Sequence, residues 1–160
     1  MRIAMLSNND AVHDSRIRRE AFALADAGHD VRVFCIRNSR TGDEVPDEET
    51  VQGVLFVRRG MPRTKDIFFS RRHKSPPLTM TRVNANPALE SSVDRHSPGP
   101  IKKIIGDMLV FKGVERAFAR DICAFEPDVL HAHDLATLPA GARLAADKRA
   151  RLVYDAHELE

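Results

Sequence analysis

The chain has 160 residues, of which 42% are hydrophobic and 30% charged, and its formal net charge at pH 7 is +2. This size and composition fit one soluble domain with its own core, and the balanced charge does not predict a nucleic-acid partner. No stretch approaches the roughly 20 apolar residues of a spanning helix, and the apolar run at the amino terminus is too short for a signal peptide. We therefore expect a cytoplasmic protein.

The first predicted elements are a strand, a helix and a second strand. Residues 2–7 form an apolar run bounded by polar residues, which is typical of a parallel strand buried on both faces. Apolar residues then recur at helical spacing from about Ser15, and Gly28 stands where a left-handed cap would end the helix. Residues 30–36 supply the second strand. The three elements together have the length of a right-handed crossover unit.

A third strand is predicted at residues 54–58. We expect an acidic loop at residues 43–49 before it and a short hairpin at Gln52 and Gly53. Six of the nine prolines then fall between residues 60 and 100, where apolar periodicity is weak and basic residues are frequent. A structureless insert of this length is unusual in a compact domain unless it is functional or mobile. We expect a long, basic, partly disordered excursion there.

Regular patterns return after residue 100. They predict a helix over residues 101–125, a strand at 129–133, a helix from Thr137 to about Lys148, and a strand at 152–154. Strands and helices thus alternate along the chain, which is the pattern of α/β proteins. We predict a single α/β domain over residues 1–160, with a doubly wound, mostly parallel sheet and helices on both faces.

Histidine and acidic residues at the carboxyl ends of the last two strands are the leading functional candidates. His131 and His133 project to the same side of their strand, at the end where open α/β sheets bind ligands. They could bind a metal, position a substrate or transfer protons, and His131 could instead be a hydrogen-bonded core residue. A metal would need further ligands. Asp134, Asp155 and His157 are chemically able, but the spacing of a known zinc hydrolase class is not met, so we predict no metal site.

Three arginines, Arg16, Arg18 and Arg19, fall in the first turn of the first predicted helix. The helix macrodipole is positive at this end and favours acids, so stability alone would not select arginine. A bound phosphate or carboxylate would explain the cluster, and neutralisation by nearby acids on a solvated surface is the alternative. Because no Gly-x-Gly-x-x-Gly follows the first strand, we expect no dinucleotide cofactor.

A second basic cluster spans residues 58–74 and surrounds the apolar run Ile67-Phe68-Phe69. Cations interleaved with aromatic residues suit an anionic membrane surface. The sequence thus predicts a peripheral contact at the inner face of the membrane, with a charged disordered loop as the alternative.

Four stretches in order along the chain carry a family resemblance: residues 1–7, 14–31, 127–134 and 152–158. Together they resemble the amino-terminal domain of family 4 glycosyltransferases, which are retaining enzymes of the two-domain GT-B architecture. Residues 45–100 have no match. The resemblance implies a Rossmann-like domain that mainly holds the acceptor, while a carboxyl-terminal domain holds most of the nucleotide-sugar donor. No cofactor is implied beyond this donor, which is a substrate.

The resemblance also implies site residues. His133 corresponds to the catalytic histidine that contacts the donor sugar and stabilises charge as the glycosidic bond loosens. Arg16 would lie near the donor phosphates or the acceptor. The substrate-binding candidates as a whole are His13, Asp14, Arg16, Asp134, His157 and Glu158.

Two departures from the family pattern affect the expected activity. Residues 8–13 are Asn-Asn-Asp-Ala-Val-His, where many members carry a Gly-Gly loop that approaches the diphosphate. The 160 residues also contain no carboxyl-terminal GT-B domain with its paired glutamates, so we expect the isolated chain to transfer no sugar. The alternatives are a non-catalytic binding module for an anionic ligand or a partner protein, and a small metal hydrolase.

Overall fold

The computed structural model of the chain describes residues 1–37, 45–62 and 100–156. The described elements are, in chain order, β1 (Arg2–Ser7), α1 (Ser15–Asp26), β2 (Asp30–Ile36), β3 (Glu48–Val51), β4 (Val54–Arg59), α2 (Pro100–Phe125), β5 (Val129–His133), α3 (Leu138–Lys148) and β6 (Arg151–Asp155). Most of the predicted excursion at residues 60–100 lies outside the described residues, as do His157 and Glu158.

The six described strands form one sheet in the order β3-β4-β2-β1-β5-β6. All neighbouring strands are parallel except β3 and β4, which are antiparallel. From β1 the chain first builds the sheet outward through β2 and β4, and it then returns along α2 to β5 on the other side of β1. The strand order therefore reverses between β1 and β5, and such a switch point opens a crevice at the carboxyl ends of the strands.

Helices cover both faces of the sheet, which confirms the predicted Rossmann-like α/β fold. On one face, Ile17 and Ala21 of α1 pack with Met5, Val33 and Phe56 in one buried cluster. On the other face, the second cluster joins α2 and α3 to the sheet through Leu6, Phe34, Val114, Phe118 and Leu144. Among the described helices, none is both long and apolar enough to cross a bilayer.

The predicted hairpin is confirmed. The prediction of an acidic loop over residues 43–49 is partly wrong, because the last two of these residues lie in a strand. Gln52 and Gly53 have φ values of 47° and 78°, and positive φ at both central residues is the requirement of the tight turns that join antiparallel strands. Glu48 and Glu49 belong to strand β3. Acidic residues are depleted in strands, but these two are held by arginines of the neighbouring strand.

Those arginines correct the prediction for the basic cluster at residues 58–74. The Arg58 side chain is fully buried; its guanidinium donates to the carbonyl oxygens of Asp10 and Pro46 and lies 2.9 Å from a Glu49 carboxylate oxygen. Arg59 pairs with Glu48 and with Asp121 at 2.8 and 2.7 Å. Buried charges must be paired in this way to be tolerated. Neither arginine is available to a membrane, and residues 63–74 lie outside the described residues.

Helix α3 approaches the sheet closely at Gly141. A β-carbon added there would lie 3.2 Å from Cβ of Ala132 and 3.3 Å from Cδ1 of Leu152. In α2, by contrast, a β-carbon at Gly106 would meet no atom of the described residues within 4 Å. The absence of a side chain at Gly141 therefore sets how closely α3 packs against β5 and β6.

Replacement of Gly141 by valine should lower the free energy of unfolding by roughly 1–3 kcal/mol, because the branched side chain overpacks the contact between helix and sheet. The matched Gly106→Val change should alter it by less than about 0.5 kcal/mol, because valine and glycine are both poor helix formers. Urea unfolding followed by circular dichroism measures both variants. Equal destabilisation by the two changes would contradict the close approach at Gly141.

Candidate functional site

The loop between β1 and α1 crosses the switch point and is shaped by its own polar side chains. Asn9 Oδ1 accepts a hydrogen bond from the Ala11 amide at 2.8 Å, and Asn9 Nδ2 donates to Asp14 Oδ2 at 3.0 Å. Ala11 has a φ of 54°. Asp14 then caps α1 by accepting from the Ile17 amide at 3.2 Å. Side-chain hydrogen bonds thus fix the conformation of this loop. Many members of the family that the sequence resembles carry glycines at this position instead.

Arg16 lies between two of the predicted acidic site residues at the carboxyl edge of the sheet. One of its terminal nitrogens is 3.8 Å from Asp14 Oδ2 and 3.7 Å from Asp134 Oδ1. Its Nε atom is buried and makes no hydrogen bond with any described residue. Burial opposes ionisation of Asp14, but hydrogen bonds from Asn9 and from the backbone, together with the charge of Arg16, hold its pKa below the ordinary value. The three side chains form a charged cluster at the site surface.

Two buried histidines lie on the α1 face of β5. The ring centroids of His131 and His133 are 4.2 Å apart, as their alternation along one strand predicts. Glu20 of α1 faces both rings: its Oε1 is 3.2 Å from His131 Nδ1 and its Oε2 is 3.8 Å from His133 Nε2. On the other side, Asp155 Oδ2 of β6 is 3.6 Å from His133 Nδ1. Three neighbouring elements therefore bring two imidazoles and two carboxylates together.

His133 is the most constrained member of this group. Its side chain has no exposed surface, and neither ring nitrogen makes a hydrogen bond within the described part of the chain. Burial, with a smaller contribution from His131, lowers the pKa of His133 from 6.5 to about 4, so the ring is neutral at neutral pH. The Thr137 hydroxyl donates to the carbonyl oxygen of His133 and holds the end of the strand. The sequence places His133 near the strand tip, and the structure adds that its ring lies beneath the surface.

The structure brings together four of the predicted site residues: Asp14, Arg16, Asp134 and His133. His13 is exposed in the same loop, and its carbonyl oxygen accepts from the Ser15 amide at 3.1 Å.

Glu20 is a site residue that the sequence analysis did not identify. It lies four residues after Arg16 in α1, so helical spacing alone places both on one face of the helix. That spacing was an available signal, but it does not show that this face meets the histidines of β5.

Surface cavities lie at opposite edges of the sheet. One, of about 370 Å³, is at the amino ends of the strands and includes Arg2 and Asp128 in its lining. The other, of about 350 Å³, is at the carboxyl ends and is lined by Val12, Arg18, Val45, Pro46, Glu49 and Arg58. The amino-edge cavity is slightly larger, but ligands of open α/β sheets bind at the carboxyl edge. The second cavity is therefore the better candidate for a ligand.

The mostly parallel sheet with polar side chains at its switch point defines a Rossmann-like α/β domain. Residues 14–160 match the family model described as "Glycosyl transferase 4-like domain". The chain therefore belongs to the glycosyl transferase 4-like domain family, and the resemblance seen in its sequence motifs is confirmed.

Two solved structures of other proteins illustrate that this fold is shared. A sucrose-phosphate synthase from Thermosynechococcus elongatus superposes with a TM-score of 0.61 at 16% identity, over 99% of this chain and 33% of that protein. CalG4, the calicheamicin glycosyltransferase, superposes with a TM-score of 0.54 at 16% identity, over 97% and 32% respectively. The chain thus spans about a third of each structure. The search of curated proteins finds no match.

Burial of His133 predicts a stability that depends on pH. The ring has a pKa near 6.5 in the unfolded chain and about 4 in the fold, so the unfolded chain binds more protons between these values. The free energy of unfolding should therefore fall as the pH falls from about 6.5 to 4, by an amount on the order of 3 kcal/mol from this group.

The His133→Asn variant removes this titration, and urea unfolding of both proteins from pH 7.5 to 4 isolates its contribution. The dependence on pH should be steeper in the parent chain than in the variant. Parallel curves for the two proteins would contradict the buried, neutral ring.

Proposed function

We propose that this chain is the acceptor-side domain of a retaining glycosyltransferase that uses a nucleotide-sugar donor. The supporting observation is the charged cluster of Asp14, Arg16 and Asp134 at the switch point, with His133 directly behind it. Family membership supports a glycosyltransferase-like domain, and the positions of the site residues support the roles proposed below.

Arg16 is the proposed anion-binding residue. Its guanidinium is only partly engaged, because both acids are at 3.7–3.8 Å and Nε has no hydrogen-bond partner in the described ranges. The residue also lies in the first turn of α1, where the helix dipole favours an anion. A diphosphate here would receive charge-assisted hydrogen bonds, which are stronger than neutral ones. We assign Arg16 to the donor phosphates or to an anionic group of the acceptor.

His133 is the proposed catalytic residue. As a neutral imidazole it could hydrogen-bond to a hydroxyl of the donor sugar and stabilise charge as the glycosidic bond loosens. Because the ring is buried in the isolated domain, this contact requires that Glu20, Asp155 or the adjoining loop move when the donor binds. A sugar hydroxyl that replaced Glu20 or Asp155 beside the ring would give His133 a hydrogen bond that it lacks within the described residues.

The acceptor is proposed to bind in the carboxyl-edge cavity beside the β1–α1 loop. Val12 and Pro46 give this cavity apolar surface, while Arg18 and Glu49 give it charge. Arg18 lies against the rings of Phe22 and Phe56, at 5.4 and 5.0 Å from their centroids, which limits its conformational freedom. His13 and Asp134 are further proposed contacts, and His157 and Glu158 remain candidates outside the described residues.

We propose that catalysis needs a second domain. The chain spans about a third of each of the two solved structures described above. The resemblance in sequence implies that a carboxyl-terminal GT-B domain would hold most of the donor. The isolated chain is therefore expected to transfer no sugar. A non-catalytic module that binds an anionic ligand or a partner protein is the alternative, and family membership does not favour it.

A cytoplasmic location with peripheral membrane contact is also proposed. Residues 63–74 would make that contact, because Arg58 and Arg59 of the basic cluster are paired within the domain. The chain should bind vesicles that contain anionic lipid at low salt and be released at high salt, because the attraction is electrostatic. Co-sedimentation with anionic and with neutral vesicles measures this. Failure to bind anionic vesicles at low salt would refute the proposed contact.

The enzymatic proposal is tested by variants assayed with a carboxyl-terminal GT-B domain supplied in cis or in trans. Release of nucleoside diphosphate from a panel of nucleotide sugars measures turnover, and NMR of the product tests retention of the anomeric configuration. His133→Ala should lower kcat by roughly 10²–10³-fold, as loss of a preorganised electrostatic contact does. Arg16→Ala should raise KM for the donor or the acceptor by roughly tenfold or more, the effect of losing a charge-assisted contact.

Arg19→Ala is the matched control, because Arg19 is an exposed arginine of the same helix turn. It should leave kcat and KM near the parent values. Equal effects of Arg16→Ala and Arg19→Ala would contradict the role of Arg16. Steady transfer by residues 1–160 alone would contradict the need for a second domain, whereas tight ligand binding without turnover under all conditions would support the binding module.

A further inference from the structure

Four side chains behind the charged cluster have the composition of a metal site. Glu20, His131, His133 and Asp155 each offer one ligand atom, and these atoms all lie within 4.8 Å of one another. They come from three elements that the fold holds rigidly: helix α1, strand β5 and strand β6. We call them the four-ligand cluster. We propose that this cluster binds one divalent transition-metal ion of the Zn²⁺ type.

The spacing of the four ligand atoms, all within 4.8 Å of one another, is compatible with a tetrahedral site after small side-chain movements. Zinc bonds to imidazole nitrogen and carboxylate oxygen are about 2.0–2.2 Å long, so neighbouring ligand atoms should lie roughly 3.4 Å apart. Here Glu20 Oε1 is 3.2 Å from His131 Nδ1, Glu20 Oε2 is 3.8 Å from His133 Nε2, and Asp155 Oδ2 is 3.6 Å from His133 Nδ1. The ion would bind one nitrogen of His133, and the carboxylate beside the other nitrogen would move toward the ion. Small side-chain movements would complete the coordination, and Glu20 and Asp155 are partly exposed and able to make them.

His133 gives a second, independent reason. Its side chain is fully buried, and neither ring nitrogen has a hydrogen bond within the described ranges. A buried polar group without a partner costs free energy, and such groups in proteins usually have one. A metal ion bound at one ring nitrogen would satisfy that nitrogen directly.

The charges of the cluster also suit a divalent cation. Two carboxylates with two neutral imidazoles balance the charge of the ion, and nitrogen with oxygen ligands is a set that zinc accepts. Arg16 acts electrostatically on His133, and its charge is itself opposed by Asp14 and Asp134.

The sequence predicts no metal because spacing along the chain does not identify a complete ligand set. The missing ligand is Glu20, which the packing of α1 on the sheet brings to the two histidines. The ion would not be a cofactor of sugar transfer. It would occupy His133, and if the proposed function is correct, it would compete with the donor sugar for that side chain.

Isothermal titration calorimetry of the tag-free chain with Zn²⁺, in a buffer that does not chelate metal, tests the site. Visible absorption after titration with Co²⁺ gives a second readout, because the d–d bands report coordination by nitrogen and oxygen. We expect one ion per chain with a Kd below about 10 µM. Glu20→Gln and His133→Asn should each weaken binding by roughly tenfold or more, the size of effect seen when the surroundings of a metal are changed.

Matched controls separate the cluster from the other acids and histidines. Asp26→Asn changes an exposed acid at the end of the same helix as Glu20, and His29→Asn changes a histidine at the opposite edge of the sheet. Both variants should bind Zn²⁺ with the same affinity as the parent chain. Glu20→Gln keeps the shape of a partly exposed side chain, so it remains informative if His133→Asn fails to fold.

Two results would overturn the proposal: no stoichiometric binding of Zn²⁺ or Co²⁺, or equal affinity in Glu20→Gln and Asp26→Asn. Neither result bears on sugar transfer, which is measured separately. Conversely, a metal-binding chain that shows no transfer with any second domain would leave the metal site standing and refute the proposed enzyme.

Discussion

The parallel pairing of β1 with β5 is the constraint on which the rest of the structure depends. The register places Met5 beside His131, and Leu6 beside Ala132. This pairing joins the two halves of the sheet and makes the strand order reverse at β1. The loop after β1 and the end of β5 therefore meet at one edge, which is why Arg16 reaches Asp134 although 118 residues separate them in the chain.

Elements with strong local patterns could be predicted from the sequence, and long-range partners could not. Strand β1 is a buried apolar run that ends at polar residues, and β2 and β5 are mostly apolar segments that also end at polar residues. The turn at Gln52 and Gly53 was predicted, but the start of β3 was not, because Glu48 and Glu49 are poor strand formers. Their arginine partners become evident only when β3 and β4 pair. Glu20 was likewise not identified as a site residue. Helical spacing shows which face of α1 it occupies, but it does not show that His131 packs against this face.

The site combines a charged surface with a buried imidazole pair. At the surface, Arg16 has donor capacity that its two acids do not use fully. Beneath it, burial keeps His133 neutral, and a neutral ring can accept a hydrogen bond, donate one or bind a metal. The proposed sugar contact and the proposed metal site therefore draw on the same property. Both depend on what replaces the present neighbours of His133, namely Glu20 and Asp155.

The most direct test of the account is to map where a nucleotide sugar contacts the domain. Backbone and imidazole NMR signals of the chain would be followed during titration with nucleotide sugars to millimolar concentration. The account predicts shifts confined to the carboxyl edge, at residues 9–16 and 131–137. Shifts centred instead on the amino-edge cavity around Arg2 and Asp128, with the carboxyl edge unchanged, would contradict it.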